Sequence, residues 1–133
     1  MPSAELHRDR TIVYSYKYHI VFCPKYRRKV LVPPIDARLK EQVIEKQEEY
    51  SYRVIEMEIM PDHVHLLLDA DPRTGIDTVV RKIKGYTAYT IRKEYPWMKS
   101  RLPSMWTRSR FIASVGSVSL DVVKQYIAGQ KGQ

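Results

Sequence analysis

Two alternating runs in the middle of the chain restrict its folding more than anything else. Residues 52–59 (YRVIEMEI) place Ile55, Met57 and Ile59 on one side, and residues 63–69 (HVHLLLD) alternate His63, His65 and Leu67 against Val64, Leu66 and Leu68. Alternation with period two is the pattern of a half-buried strand. Only Met60, Pro61 and Asp62 separate the runs, so they are predicted to form a β-hairpin.

The flanking segments supply partners for that hairpin. Residues 12–23 (IVYSYKYHIVFC) are rich in β-branched and aromatic types and read as a strand that Pro24 ends. Tyr14, Tyr16, Tyr18, Ile20 and Phe22 share one face, and Val13, Lys17, His19, Val21 and Cys23 the other. A basic turn, Lys25–Lys29, follows. Pro33 and Pro34 precede a helix predicted over 36–49, with Ile35, Leu39 and Val43 every fourth residue and Ile44 widening the stripe. A second helix is predicted over 75–95, where Ile76, Val79, Val80, Ile83, Tyr86, Thr87, Thr90 and Ile91 make one apolar stripe and Arg81, Lys84, Ala88 and Arg92 the opposite side. After Pro96, a loop with Pro103 and Trp106 leads to a strand at 110–116 and a last helix, capped by Ser117 or Ser119, that runs to 129.

The first six elements match a βαββαβ, ferredoxin-like arrangement. The expected class is therefore α+β: an antiparallel sheet with two helices on one face, a free opposite face, and an added C-terminal helix. The 133 residues fit a single domain spanning 1–133. No linker, repeat or low-complexity tract divides them.

Composition narrows the function classes. No apolar run reaches the length of a membrane span, and the polar start MPSAELHRDR lacks the apolar core of a signal peptide. One cysteine excludes an intrachain disulfide and a cysteine zinc knuckle. A cytoplasmic protein with no membrane partner is expected. The net charge of +8 is uneven, at +5 over residues 1–32, −6 over 33–72, +8 over 73–110 and +1 over 111–133. Two basic blocks around an acidic one suggest a polyanion-binding surface. Lys25, Arg27, Arg28 and Lys29 form one cluster, and Arg81, Lys82 and Lys84 stand on the second helix. Tyr26, Tyr86, Trp97 and Trp106 are candidates either to stack on unpaired bases or to pack inside the protein.

The sharpest local feature is Pro61-Asp62-His63-Val64-His65. His63 and His65 project side by side from a strand, which suits both chelation of one divalent ion and an ordinary half-exposed strand. Glu56 and Glu58, on the facing strand, are candidate neighbours. Asp62 is expected to point away from His63. Near the other end, Tyr126 and Gln130 are four apart and share a helical face. A tyrosine phenol is a plausible nucleophile, and a glutamine carbonyl a plausible ligand for a hard cation. The same two residues also suit a packed terminal helix. Gly129 weakens the last turn beside Gln130.

Together these segments resemble the HUH-type single-tyrosine transposases of insertion sequences, the transposase A family. The resemblance runs in order through Tyr18-His19-Ile20-Val21-Phe22-Cys23-Pro24-Lys25-Tyr26-Arg27-Arg28, Met60 to Leu67, Ile83-Lys84-Gly85 and Tyr126-Ile127-Ala128-Gly129-Gln130. It implies that His63 and His65 are the paired histidines, Gln130 the third metal ligand, Mg²⁺ or Mn²⁺ the metal, and Tyr126 the nucleophile on the added helix. It further implies a metal-dependent tyrosine DNA strand-transferase. Such an enzyme cleaves and rejoins single-stranded DNA at element ends through a 5′-phosphotyrosine link and recognises hairpins there. It acts as a homodimer, in many members with active sites shared between subunits. The basic residues Lys25, Arg27, Arg28, Arg81, Lys82 and Lys84 are then expected to grip DNA. Two alternatives stay open: a non-catalytic hairpin-binding protein derived from such a transposase, and a metal hydrolase using His63, His65 and Glu58.

Overall fold

The computed structural model describes residues 7–8, 13–14, 16–115 and 120–133. In chain order the elements are β1 (His7–Arg8), β2 (Val13–Tyr14), β3 (Lys17–Phe22), a 3₁₀ turn (Lys25–Arg27), α1 (Ile35–Glu45), β4 (Tyr52–Met60), β5 (His63–Ala70), α2 (Ile76–Glu94), α3 (Trp97–Arg101), β6 (Phe111–Ser114) and α4 (Leu120–Gly129). The main sheet has the order β4-β5-β3-β6, with antiparallel pairing throughout. That is the order of the ferredoxin-like arrangement, with the hairpin β4–β5 at one side and β3 between β5 and β6.

One face of the sheet presents Ile20, Phe22, Val64, Leu66 and Leu68, all fully buried. They meet Ile35, Leu39 and Val43 of α1 and Val79, Val80, Ile83 and Ile91 of α2 in a single core. A buried aliphatic side chain of this kind contributes about 1.5–3 kcal/mol relative to exposure. Arg38 of α1 also reaches Glu94 of α2, Nε to Oε1 at 2.9 Å.

Several boundaries differ from those expected. The strand expected over 12–23 is divided: β5 ends at Ala70, whose N–H meets the Tyr16 carbonyl at 3.0 Å. Val13–Tyr14 pairs instead with His7–Arg8 in a separate ribbon. Helix α1 stops at Glu45 rather than 49, because Ile44 is exposed and the apolar stripe ends at Val43. In β4 a bulge between Val54 and Glu56 puts Val54, Met57 and Ile59 against the core, so Ile55 leaves the alternation. The loop after Pro96 contains the short helix α3, anchored by fully buried Met98. The last strand is shorter than 110–116, spanning 111–114. The expected caps Ser117 and Ser119 lie outside the described residues.

Candidate active site

The second face of the sheet carries the functional side chains. Strand register places Phe111, Val21, His65 and Glu58 in one row, and Ala113, His19, Leu67 and Glu56 in the next. Directly opposed residues of antiparallel strands share a face. His63 and His65 therefore stand side by side on the face away from α1 and α2, with Val64 turned into the core, as alternation predicts. Glu58 lies opposite His65, and both Glu56 and Glu58 are exposed.

Each histidine has a fixed neighbour. Nδ1 of His63 lies 2.9 Å from Oδ1 of Asp62, so Asp62 does not point away as expected. It belongs to the turn before the strand, where alternation has no hold. A carboxylate on Nδ1 sets the ring's tautomer and orientation and leaves Nε2 open. Nε2 of His65 lies 3.1 Å from Nδ1 of His19 on β3. Burial, and next the charge of His19, lower the His65 pKa, which favours the neutral, ligand-competent imidazole.

Helix α4 packs on this same face. The Tyr126 ring lies 5.3 Å from the Phe111 ring, and Val123 is buried beneath the helix. The phenol oxygen of Tyr126 is 2.6 Å from the Ser109 hydroxyl. Burial raises the Tyr126 pKa, against a lowering by the Ser109 hydrogen bond. Gln130 is only 6% exposed, and its Oε1 accepts a hydrogen bond from Thr107 Oγ1 at 3.1 Å. The two residues expected to act together are thus held by Ser109 and Thr107, two positions apart on one segment. That segment runs beside the end of β3, with Thr107 N–H on the Cys23 carbonyl at 3.0 Å.

Lys84 fixes the segment from below. Its Nζ donates to the carbonyls of Thr107, at 2.7 Å, and Ser109, at 3.0 Å. It is half-buried and not on the solvent side of α2, and burial lowers its pKa to about 8. Arg27 is also turned inward: Nε lies 3.2 Å from Asp62 Oδ2, and Nη1 donates to the Ile127 carbonyl at 3.1 Å. Cys23 is fully buried, and burial pushes its thiol up to about 11, so it is no nucleophile near neutral pH.

The remaining candidates lie farther out. Arg28 and Lys29 are exposed and, with Tyr26, Arg27, Asp62 and Lys131, line a cleft of about 570 Å³ beside the histidine turn. Lys25 lies over the Tyr26 ring at 5.2 Å. Arg81 and Lys82 are exposed on α2, the helix packed on the opposite side of the sheet. Trp106 is buried edge-on against Phe22, with Nε1 donating to Thr87 Oγ1 at 3.1 Å. Tyr86 packs near Tyr50 under Lys46. Tyr26 and Trp97 are 43% and 40% exposed, which leaves these two aromatics available for stacking.

Among the described residues no group of three or more His, Cys, Asp or Glu side chains gathers as a metal site. A divalent ion at the histidines therefore needs a ligand of another type. An amide oxygen has two lone pairs, so Gln130 Oε1 keeps one beyond its bond to Thr107. Imidazole nitrogens and amide oxygens are both ligands for divalent ions, so His63, His65 and Gln130 would offer such an ion two nitrogens and one oxygen.

The ferredoxin-like sheet thus carries the paired histidines and the Tyr126 helix on one face. Residues 12–130 match the family described as "Transposase IS200 like", and the chain belongs to that family. It is 36% identical over 128 residues to the ISDra2 transposase TnpA of Deinococcus radiodurans, covering 95% of this chain and 91% of that one. It is 28% identical over 120 residues to the transposase for insertion sequence element IS200 of Salmonella typhimurium, covering 88% and 78% respectively. A Deinococcus radiodurans chain crystallised at 1.90 Å resolution superposes with a TM-score of 0.88 at 29% identity, over 96% of this chain and 99% of that one. The fold is shared, at a TM-score of 0.59 and 11% identity over 91% and 67% of the two chains, with a REP-associated tyrosine transposase bound to a REP hairpin. No helix among the described residues is long and apolar enough to cross a membrane.

Proposed function

We propose that this transposase cuts and rejoins single-stranded DNA at insertion-sequence ends, with Tyr126 as the nucleophile. The observation that carries the reading is the packing of α4 on the histidine face, Tyr126 against Phe111, whose strand row includes His65. The Tyr126 oxygen attacks the scissile phosphorus in line. The phenol proton passes to solvent, the P–O3′ bond breaks, the 5′-phosphate stays on the tyrosine, and the released 3′ oxygen takes up a proton from solvent. In the rejoining step a 3′-OH attacks such a phosphotyrosine and the Tyr126 oxygen leaves.

The phenol starts protonated, since burial holds its pKa above the ordinary value. The Ser109 hydroxyl, 2.6 Å away, hydrogen-bonds the phenol oxygen and orients it. His63, His65 and Gln130 would hold Mg²⁺ or Mn²⁺, which when bound supplies Lewis-acid polarisation of the phosphate. The cleft with Arg28, Lys29 and Lys131 beside Asp62 offers the strand a basic path to the histidines. Recognition of hairpin DNA is proposed with it. One tyrosine nucleophile per chain makes one cut per active site, so two cuts call for a homodimer.

Incubation of wild type and Tyr126→Phe with single-stranded element ends and Mg²⁺, followed by a denaturing gel, tests this. A covalent adduct in wild type, absent in Tyr126→Phe with hairpin binding unchanged, is expected. Undiminished adduct in the variant contradicts the assignment. Salt-sensitive binding without any adduct supports the hairpin-binding alternative.

A further inference from the structure

We infer that Arg27 and Asp62 are positioning residues that clasp the tyrosine helix to the histidine turn. The inference rests on the function proposed above and deepens it. Three contacts form a continuous chain: His63 Nδ1 to Asp62 Oδ1 at 2.9 Å, Asp62 Oδ2 to Arg27 Nε at 3.2 Å, and Arg27 Nη1 to the Ile127 carbonyl at 3.1 Å. One carboxylate thus serves two partners, and so does one guanidinium. Ile127 lies between Tyr126 and Gln130, and its carbonyl, which accepts the Gln130 N–H at 3.1 Å, takes Arg27 as a second donor at the end of α4. A cation there also meets the negative end of the helix dipole.

The backbone around Arg27 is arranged for this reach. Tyr26 and Arg27 both adopt positive φ, 58° and 50°, a region that side-chain-bearing residues occupy at a cost. The turn is held by Arg27 N–H on the Pro24 carbonyl at 2.8 Å and Tyr26 N–H on the Gln133 carbonyl at 2.7 Å. The strained turn thus directs Arg27 inward between two elements, where it and Asp62 line the inner side of the cleft that Arg28 and Lys29 flank. Lysine retains the charge but not the planar fork that reaches two acceptors at once.

The clasp gives each half of the site a defined dependence on the other. Asp62 fixes the His63 ring through Nδ1, and Arg27 fixes Asp62 while holding the last turn of α4. A plain phosphate contact at Arg27 predicts something else: weaker DNA binding and a salt dependence less steep by about 0.7 on single strands.

The test uses the full chain with Arg27→Lys, Arg27→Met, Asp62→Asn and the double variant Arg27→Met/Asp62→Asn. Adduct formation is followed at saturating DNA, hairpin affinity against salt, Mn²⁺ affinity by electron paramagnetic resonance, and amide exchange over residues 127–130. Each single variant is expected to slow adduct formation by about 10–100-fold, the range for outer-shell partners of metal-binding histidines. The double variant should be no slower than the slower single. Hairpin affinity and its salt slope should not change. Mn²⁺ affinity should drop in Asp62→Asn, and exchange over 127–130 should quicken in both Arg27 variants. A reduced salt slope with unchanged exchange, or rates that fall multiplicatively in the double variant, would overturn the clasp. If wild type forms no adduct, the proposed function fails, and Mn²⁺ affinity with amide exchange still decides the clasp.

Discussion

The two halves of the candidate site are held in different ways. His63 and His65 stand on β5, bonded along both edges to β4 and β3, with Val64, Leu66 and Leu68 fully buried behind them. Tyr126 stands on α4 and Gln130 in the turn directly after it, and this segment is tied in through the Tyr126–Phe111 ring contact and single hydrogen bonds to Ser109, Thr107 and Arg27. A strand inside a ladder moves only with the core, whereas contacts worth about 1 kcal/mol each can be exchanged one at a time. The histidine half is thus the fixed reference, and the tyrosine half is the part that can adjust to a strand of DNA.

That contrast can be broken at several points, beginning with the fixed half. Leu66→Ala removes a fully buried side chain behind the histidines and should cost about 2–5 kcal/mol, measured by urea unfolding. A loss below 1 kcal/mol would show that the ladder holds the histidines without its core. Val123→Ala, under the helix, should cost less, about 1–2 kcal/mol for the methyl groups withdrawn from burial. Thermal unfolding should show it, together with faster amide exchange confined to 120–130. Exchange that quickens equally in β5 would dissolve the distinction.

Lys84 sharpens the comparison, since it supports the tyrosine half from the core side. Its folded pKa is lowered, to about 8, chiefly by burial. The unfolded chain therefore binds more protons between about pH 8 and the ordinary lysine value near 10.4. Stability contributed by this group rises with pH across that window. Relative to Lys84→Met, wild type should gain stability from pH 8 to 10 in denaturant titrations, and parallel pH profiles would contradict the assigned burial. The smallest effect is expected from Ser109→Ala. It should cost about 1 kcal/mol and raise the Tyr126 pKa further, because the lost hydrogen bond lowers it. A specific ¹³C label on Tyr126 reads that titration, and an unchanged or lowered value would contradict the bond's direction.

The same contrast explains what could be read from the residues alone. HVHLLLD determines which face holds the histidines, because strand alternation is strict once one face is buried. Helical spacing puts Tyr126 and Gln130 on one face; the helix ends at Gly129 with Gln130 in the turn after it, and the two side chains reach one segment, at Ser109 and Thr107. The bulge at Ile55 was not legible, since no Gly or Pro marks it and IEMEI alternates cleanly without it. Nor was the inward turn of Arg27: a cation among Lys25, Arg28 and Lys29 looks like its neighbours until the backbone twist at 26–27 is known. Asp62 lies one residue before the strand, where alternation does not set a side chain's direction, and its carboxylate turns to His63. Lys84 reads as solvent-facing on the wheel of α2, yet its stem bends to two carbonyls of the following segment.

The central claim is that Tyr126, brought onto the histidine face, forms the covalent link to DNA. Wild-type protein incubated with single-stranded element ends and Mg²⁺, with and without EDTA, then digested and mapped by mass spectrometry, tests it most directly. The account predicts a 5′-phosphate-linked nucleotide on the peptide containing Tyr126, present with Mg²⁺ and absent with EDTA. A nucleotide on a different one of the 10 tyrosines, or DNA cleavage with no linked peptide, would contradict it.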